Sequence, residues 1–192
     1  MGNFSKGNYQ NRLLFNRMRP MGNKVDSITR NELLTKLEQN MDAHLTSIHA
    51  PAGYGKTTLL TQHYELMQSK GYCCCWLTLD NIGGHPVQFL AYLAAAMEPT
   101  QLLPEDVARA AFNGFHGLDL NGAHNLVINL LSSFDASVYF FLDDYHYVAS
   151  ENQQHIVNKL IELTTENIHF IVTSREQTPE LKGRLQISRP YF

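Results

Sequence analysis

A glycine-rich stretch in the first third of the chain carries the residue types that bind phosphate groups. Gly53 and Gly55 would let backbone N–H groups turn inward around an anion, because neither residue carries a Cβ that obstructs the approach. Lys56 would reach the β- and γ-phosphates of a nucleotide, and Thr57 would supply a hydroxyl to Mg²⁺. The candidate nucleotide-binding residues are Ala50, Pro51, Ala52, Gly53, Tyr54, Gly55, Lys56, Thr57 and Thr58.

The surroundings of this stretch decide between two interpretations of it. An apolar segment precedes it and a helical pattern follows it, which is the context that a phosphate-binding loop requires. Ala50 stands where the first glycine of the pattern is usual. A strand–helix turn with an accidental Lys-Thr pair is the alternative, and the context favours the phosphate loop.

An acidic pair follows the most strand-like segment of the chain, residues 138–142 (VYFFL). A parallel strand delivers its last side chains to the carboxyl edge of the sheet, where ligands of open α/β sheets bind. Asp143 would hold Mg²⁺ through water, since this cation usually keeps several of its waters. Asp144 would lie beside an attacking water as a candidate catalytic base. A loop-capping Asp-Asp turn is the alternative, which the phosphate-loop pattern disfavours.

A third polar group follows the apolar segment 169–173 (HFIVT), where the chain continues as Ser174-Arg175-Glu176. In P-loop enzymes of the additional-strand type, such a strand lies between the phosphate-loop strand and the acidic strand. Arg175 would then face the γ-phosphate as a catalytic residue that stabilises its developing charge. An exposed arginine paired with Glu176 is the alternative.

Short apolar segments alternate with helical patterns, which indicates an α/β fold whose parallel sheet is covered on both faces. The expected fold class is a three-layer P-loop NTPase of the additional-strand type. A capping box, Thr29-x-x-Glu32, predicts the start of the first helix, and Pro86 and Pro104 suit the first turns of two later helices. Predicted strands cover 44–49, 72–79, 138–142 and 169–173, and predicted helices cover 30–41, 56–67, 86–97, 104–112, 121–133 and 152–164.

Composition limits the classes of protein that need to be considered. The 192 residues are 44% hydrophobic, which excludes wholesale disorder, and their net charge of −3 does not suit a nucleic-acid-coating surface. We expect a flexible basic tail over residues 1–23 and a single P-loop domain over residues 24–192. Three consecutive cysteines, Cys73 to Cys75, with no predicted membrane span or secretion signal, suggest the cytoplasm.

Four segments together resemble a known family. They are HAPAGYGKTTLL, CWLTLDNIGGHPVQFLAYLAAAM, FFLDDYHYV and HFIVTSRE. In this order they are similar to the N-terminal ATPase domain of the large ATP-binding LuxR-type transcriptional regulators, which belong to the STAND class of signal-transducing P-loop ATPases. The resemblance covers about residues 25–184.

The resemblance implies a molecular switch that uses ATP and Mg²⁺. Motif matching assigns the phosphate-loop roles to Lys56 and Thr57 and the roles of the Walker B acids to Asp143 and Asp144. It assigns to Arg175 the role of sensing the γ-phosphate. It also implies an oligomeric ATP-bound state, so self-association is one expectation, and at most slow ATP hydrolysis is another. Direct DNA binding and membrane binding are not expected of this chain.

The resemblance is lost after about Arg184, so the chain is expected to be a truncated relative without sensor or DNA-binding domains. The sheet order in the family is 5-1-4-3-2, and strand 5 is doubtful or missing here, since only residues 186–188 could form it. Strand 1 would then be an exposed edge and the domain marginally stable. A small P-loop kinase and a non-functional truncated remnant remain as alternatives.

Overall fold

The computed structural model describes residues 16–22, 28–79, 86–97, 115, 117–148, 151–176 and 185–188. The predicted helix that begins at Pro104 lies outside the described residues, as does most of the predicted basic tail. Within residues 16–22, Met18 is buried in the main apolar cluster, and the Arg17 guanidinium lies 6.0 Å from the centroid of the Tyr92 ring. The described part of that segment therefore packs against the domain.

The described residues form five helices and five strands, close to the predicted positions. The strands are β1 (Leu45–His49), β2 (Cys73–Thr78), β3 (Val138–Asp143), β4 (Ile168–Ser174) and β5 (Leu185–Ser188). The helices are α1 (Asn31–Glu38), α2 (Lys56–Ser69), α3 (Pro86–Ala95), α4 (Leu120–Leu131) and α5 (Glu151–Leu163), with a short 3-10 turn at Tyr145–Tyr147.

The strands form one parallel sheet in the order β2-β3-β4-β1-β5. The expectation that strand 5 is doubtful or missing is wrong, because β5 pairs with β1 from Thr46 opposite Leu185 to His49 opposite Ser188. Four residues are too few for a strand to show its periodicity in the sequence. On the side of β1 that faces away from β4, the backbone N–H and C=O groups need hydrogen-bond partners. Strand β5 supplies these partners. Strand β1 is therefore an inner strand.

Alternation along the inner strands divides the apolar residues between the two faces of the sheet. Phe140 and Leu142 of β3 pack in a cluster with α3, α4 and α5, whereas Phe141 packs on the other face with α1 and α2. On that second face the rings of Phe141 and Trp76 stack at 6.4 Å between centroids. Both faces of β3 are buried, which explains why its sequence is a continuous apolar run.

Helix α1 begins differently from the prediction. The capping box at Thr29 and Glu32 is not formed, because the N-cap residue is Arg30 and no side chain caps the helix. Instead, Gln62 of α2 holds the preceding backbone: its Nε2 donates to the Ile28 carbonyl at 3.1 Å, and its Oε1 accepts from the Arg30 N–H at 3.5 Å. A tertiary contact therefore sets this helix start. No helix in the described residues is long and apolar enough to cross a membrane.

Candidate nucleotide-binding site

The connection between β1 and α2 turns sharply because it contains two left-handed glycines. Gly53 has a φ of 84° and Gly55, the N-cap residue of α2, has a φ of 72°. These are backbone conformations that residues with a Cβ rarely adopt. A Cβ at Gly55 would also lie 2.8 Å from Nη2 of Arg30. The predicted loop residues Pro51, Ala52, Gly53 and Tyr54 are exposed, so this face of the loop is open to solvent.

Lys56 lies inside the loop that precedes it. Its ammonium group donates to the carbonyl oxygen of Ala50 at 2.7 Å and to that of Pro51 at 3.0 Å, and the residue is only 8% exposed. Burial lowers the pKa of Lys56, the carboxylates of Asp144 and Asp143 oppose that shift, and the Arg175 charge adds to it. The cation is therefore placed at the start of α2, where the helix N-terminus also favours an anion.

The carboxylate of Asp143, at the end of β3, accepts hydrogen bonds from two hydroxyl groups on other elements. Thr57 of α2 donates to Asp143 Oδ1 at 3.2 Å, and Thr173 of β4 donates to the same oxygen at 2.6 Å. Asp143 is 2% exposed. Burial raises the pKa of Asp143, as does the neighbouring Asp144 to a lesser degree, whereas the hydrogen bonds from Thr173 and Thr57 lower it.

Asp143 and Thr57 are suited to a magnesium ion by their chemistry. They bring a carboxylate and a hydroxyl within 3.2 Å of each other beside the phosphate loop, and Mg²⁺ prefers oxygen ligands. No cluster of three or more His, Cys, Asp or Glu side chains that could hold a metal occurs among the described residues. A cation held by one or two protein oxygens together with substrate phosphates and water requires no such cluster.

Asp144 has a conformation and surroundings unlike those of Asp143. It has a φ of 59°, and it is the one residue other than glycine with a positive φ in the described part of the chain. Its N–H donates to Thr173 Oγ1 at 3.0 Å, and its carbonyl oxygen accepts from the Tyr147 N–H at 3.0 Å. Its carboxylate lies 3.7 Å from Nδ1 of His146. The predicted base is partly exposed, and its backbone is held by the turn that follows β3.

Arg175 directly follows β4 and is exposed. Its guanidinium carbon lies 6.0 Å from the centroid of the Tyr147 ring, in the range of a cation–π contact. Burial is the main cause of the lowered pKa values of Lys56 and His146, and the charge of Arg175 contributes to both, so these three groups lie in one electrostatic neighbourhood. The structure brings the predicted residues to the same edge of the sheet, because the carboxyl ends of β1, β3 and β4 are adjacent there.

Two residues that contact the predicted site residues were not singled out from the sequence. Thr173 contacts both Asp143 and Asp144. The sequence indicates it only by the presence of a hydroxyl residue near the end of an apolar strand. Arg30 approaches Gly55 from the start of α1 and lines a small cavity beside the loop, together with His49 and Tyr54. No local pattern reveals this, since Arg30 lies far from the loop in sequence.

Two solved structures share the fold of this chain. Cdc6p from Pyrobaculum aerophilum matches 80% of this chain and 42% of its own, with a TM-score of 0.53 and 13% identity. A structure of Drosophila ORC bound to DNA matches 80% of this chain and 83% of its own, with a TM-score of 0.51 and 9% identity. At such identities the likeness concerns the fold alone. The sheet order and the loop together define a P-loop NTPase fold.

Sequence similarity points to a more particular group. The HTH-type transcriptional regulator MalT of Yersinia enterocolitica is 29% identical over 154 residues, which cover 80% of this chain and 17% of the regulator. MalT of Yersinia pestis strain Pestoides F is 28% identical over 150 residues, or 78% of this chain and 16% of the regulator. The resemblance to LuxR-type regulators is thus confirmed. The chain spans about a sixth of the length of these relatives, and no protein-family model matches it.

Proposed function

We propose that this domain binds ATP together with Mg²⁺ and serves as the nucleotide-dependent switch of a regulatory protein. One observation carries the proposal: the Thr57 hydroxyl meets the Asp143 carboxylate at 3.2 Å, although 86 positions separate the two residues. This contact joins the phosphate loop to the acidic strand, which is the juxtaposition that nucleotide-bound Mg²⁺ requires.

The loop supplies the phosphate-binding part of the proposed function. Residues 50–58 would surround the phosphates with backbone N–H groups, while the positive end of α2 and the Lys56 ammonium group would balance their charge. The present partners of Lys56 are two carbonyl oxygens, Ala50 O and Pro51 O. A phosphate oxygen attracts the ammonium group more strongly than either carbonyl oxygen, because the phosphate carries a formal negative charge and the carbonyl groups are neutral.

The acidic strand supplies the metal-binding and hydrolytic parts. Asp143 and Thr57 would hold Mg²⁺, which would neutralise phosphate charge when bound. Asp144 would accept a proton from the attacking water, and Arg175 would stabilise charge at the γ-phosphate. In the present structure the Arg175 guanidinium lies beside the Tyr147 ring. At most slow hydrolysis by the domain itself is proposed on the basis of the resemblance.

The regulatory part of the proposal rests on the similarity to MalT, whose name describes a helix-turn-helix transcriptional regulator. The matched region is about a sixth of that protein, so signal recognition and DNA contact are not assigned to this chain. Self-association in the ATP-bound form is proposed on the same basis. Sedimentation with and without Mg-ATP measures it directly.

The test is ATP binding by Lys56→Ala, with Lys36→Ala as the matched control. Lys36 lies on the exposed side of α1, so its substitution removes the same charge away from the loop. Losing a charge-assisted phosphate contact costs about 1.5–3 kcal/mol. We expect affinity for a fluorescent ATP analogue to fall by roughly ten- to a hundredfold in Lys56→Ala alone.

The outcome for Lys56 and two further measurements separate the alternatives. Equal affinity in all three proteins would contradict the assignment of Lys56, provided that each protein gives the same circular dichroism spectrum. Competition by GTP tests the preference for ATP, which rests on the resemblance. Transfer of the γ-phosphate to an added nucleotide or metabolite, instead of to water, would favour the kinase alternative.

A further inference from the structure

We infer that Thr173 is a positioning residue that orients the Asp143 carboxylate and thereby sets how strongly Mg²⁺ promotes nucleotide binding. The inference rests on the proposed function and extends it to a side chain on β4 that is not itself a proposed ligand of the metal or the nucleotide. It follows from the hydrogen bonds of one buried hydroxyl group.

The hydroxyl of Thr173 is used both as a donor and as an acceptor. It donates to Asp143 Oδ1 at 2.6 Å, a distance typical of O–H donors to ionised carboxylates. It accepts the N–H of Asp144 at 3.0 Å. Thr173 is fully buried, so water does not compete for either bond. A single oxygen atom on β4 therefore contacts both acids at the end of β3.

The Asp143 carboxylate needs such a contact because it is buried at 2% exposure next to a second carboxylate. Thr57 also donates to Oδ1, at 3.2 Å, but Thr57 is itself a proposed ligand of the metal. The bond from Thr173 is shorter, and it comes from a strand paired with β3 along Val138–Leu142. It is therefore the contact that fixes the carboxylate independently of the nucleotide-binding loop.

The second bond fixes the turn that follows the carboxylate. Asp144 has a left-handed backbone with a φ of 59°, which residues other than glycine rarely adopt without support. Its N–H is held by Thr173, so the direction in which the chain leaves Asp143 is set from the same oxygen. Partners that orient metal ligands in this way commonly change metal affinity by about 10- to 100-fold when they are removed.

The test compares Thr173→Val, which keeps the shape but removes the hydroxyl, with Thr173→Ser, which keeps the hydroxyl. For each protein, the affinity for a fluorescent ATP analogue is measured with excess Mg²⁺ and again with EDTA. We expect Thr173→Val to leave the affinity in EDTA unchanged and to lower the ratio of the two affinities by about tenfold. Thr173→Ser should keep the wild-type ratio.

The outcomes separate this inference from the proposed function. If the wild-type protein binds no nucleotide in either condition, the proposed function fails and the inference with it. If it binds and Thr173→Val gives the same ratio, or if wild-type binding does not respond to Mg²⁺, the inference is overturned while nucleotide binding stands. An equal loss in EDTA and in Mg²⁺ also overturns it, because Thr173 then acts on the fold.

A second pair of variants covers a failure of Thr173→Val to fold. Thr173→Ala removes the hydroxyl without placing a methyl group against the carboxylate, and it is compared with Thr173→Ser in the same two conditions. Direct binding of Mn²⁺ to the nucleotide complex, followed by electron paramagnetic resonance, reports on the metal without any turnover. Weaker Mn²⁺ binding in Thr173→Ala than in Thr173→Ser is expected, and equal binding would overturn the inference.

Discussion

The two acids at the end of β3 have different surroundings, although they are adjacent in the sequence. Asp143 is buried and accepts hydrogen bonds from the hydroxyl groups of Thr57 and Thr173. Asp144 is partly exposed, and its Oδ1 lies 3.7 Å from Nδ1 of His146. Neighbouring carboxylates in unlike environments are suited to unlike tasks. The arrangement supports our proposal that Asp143 binds the metal and that Asp144 accepts a proton from the attacking water.

A residue-scale prediction concerns Gly55 and uses Gly71 as its control. Both glycines have a positive φ, of 72° and 84°, but only Gly55 belongs to the phosphate loop. Alanine at either position should lower the free energy of unfolding by about 1–2 kcal/mol, because the left-handed backbone disfavours a Cβ. Urea denaturation measures this loss. The Cβ at Gly55 would meet only the flexible end of Arg30, so the two losses should be similar.

Nucleotide affinity should distinguish these two variants. We expect Gly55→Ala to weaken ATP binding and Gly71→Ala to leave it unchanged, since the latter substitution lies at the far end of α2. Unchanged affinity in Gly55→Ala would show that close backbone approach at this position is not needed for the ligand.

At the scale of elements, β5 decides whether the phosphate-loop strand has an open edge. It pairs with β1 along Thr46–His49, so β1 lies between β4 and β5. The position of the loop at the end of β1 is therefore fixed from both sides. The marginal stability expected from a missing strand 5 loses its physical reason once this strand is present.

An element-scale prediction follows from two truncations. Ending the chain after residue 184 removes β5, whereas ending it after residue 188 keeps it. The first should lower the free energy of unfolding by at least about 2 kcal/mol, or roughly 4–8 °C in melting temperature for a domain of this size. It should also promote aggregation, because an unpaired strand edge is exposed. Equal melting of both truncated proteins would mean that β5 contributes little to stability.

At the scale of the whole molecule, the site joins elements that are distant along the chain. The loop follows β1, Asp143 ends β3 with Asp144 directly after it, and Arg175 directly follows β4. A ligand that contacts the ends of these three strands bridges early and late parts of the sequence. Ligand binding should therefore raise the free energy of unfolding of the whole domain.

A whole-molecule prediction is that Mg-ATP raises the melting temperature. At a concentration one hundred times the dissociation constant, a ligand that binds only the native state adds about 2.7 kcal/mol of stability. For this chain length that corresponds to roughly 5–10 °C. Differential scanning fluorimetry checks it, with Lys56→Ala expected to show a much smaller shift. No shift in the wild-type protein at saturating nucleotide would count strongly against the site.

The sequence by itself determined the class of fold and located most of the candidate site, because local patterns carry that information. Glycines beside Lys56, an acidic pair after a buried strand, and the alternation of apolar segments with helices each depend on neighbours in the chain. The sheet order was available only through resemblance. The start of α1 could not be predicted correctly, because Gln62 holds it from another helix.

Only the tertiary structure decided the contacts between segments that lie far apart. It paired the four residues of β5 with β1, placed the Arg30 guanidinium against Gly55, and brought the Thr173 hydroxyl to Asp143 and Asp144. Each of these depends on hydrogen-bonding groups or surfaces that become neighbours only when the sheet assembles. A hydroxyl at a strand end has no chemical meaning in the sequence until the adjacent strand supplies its partner.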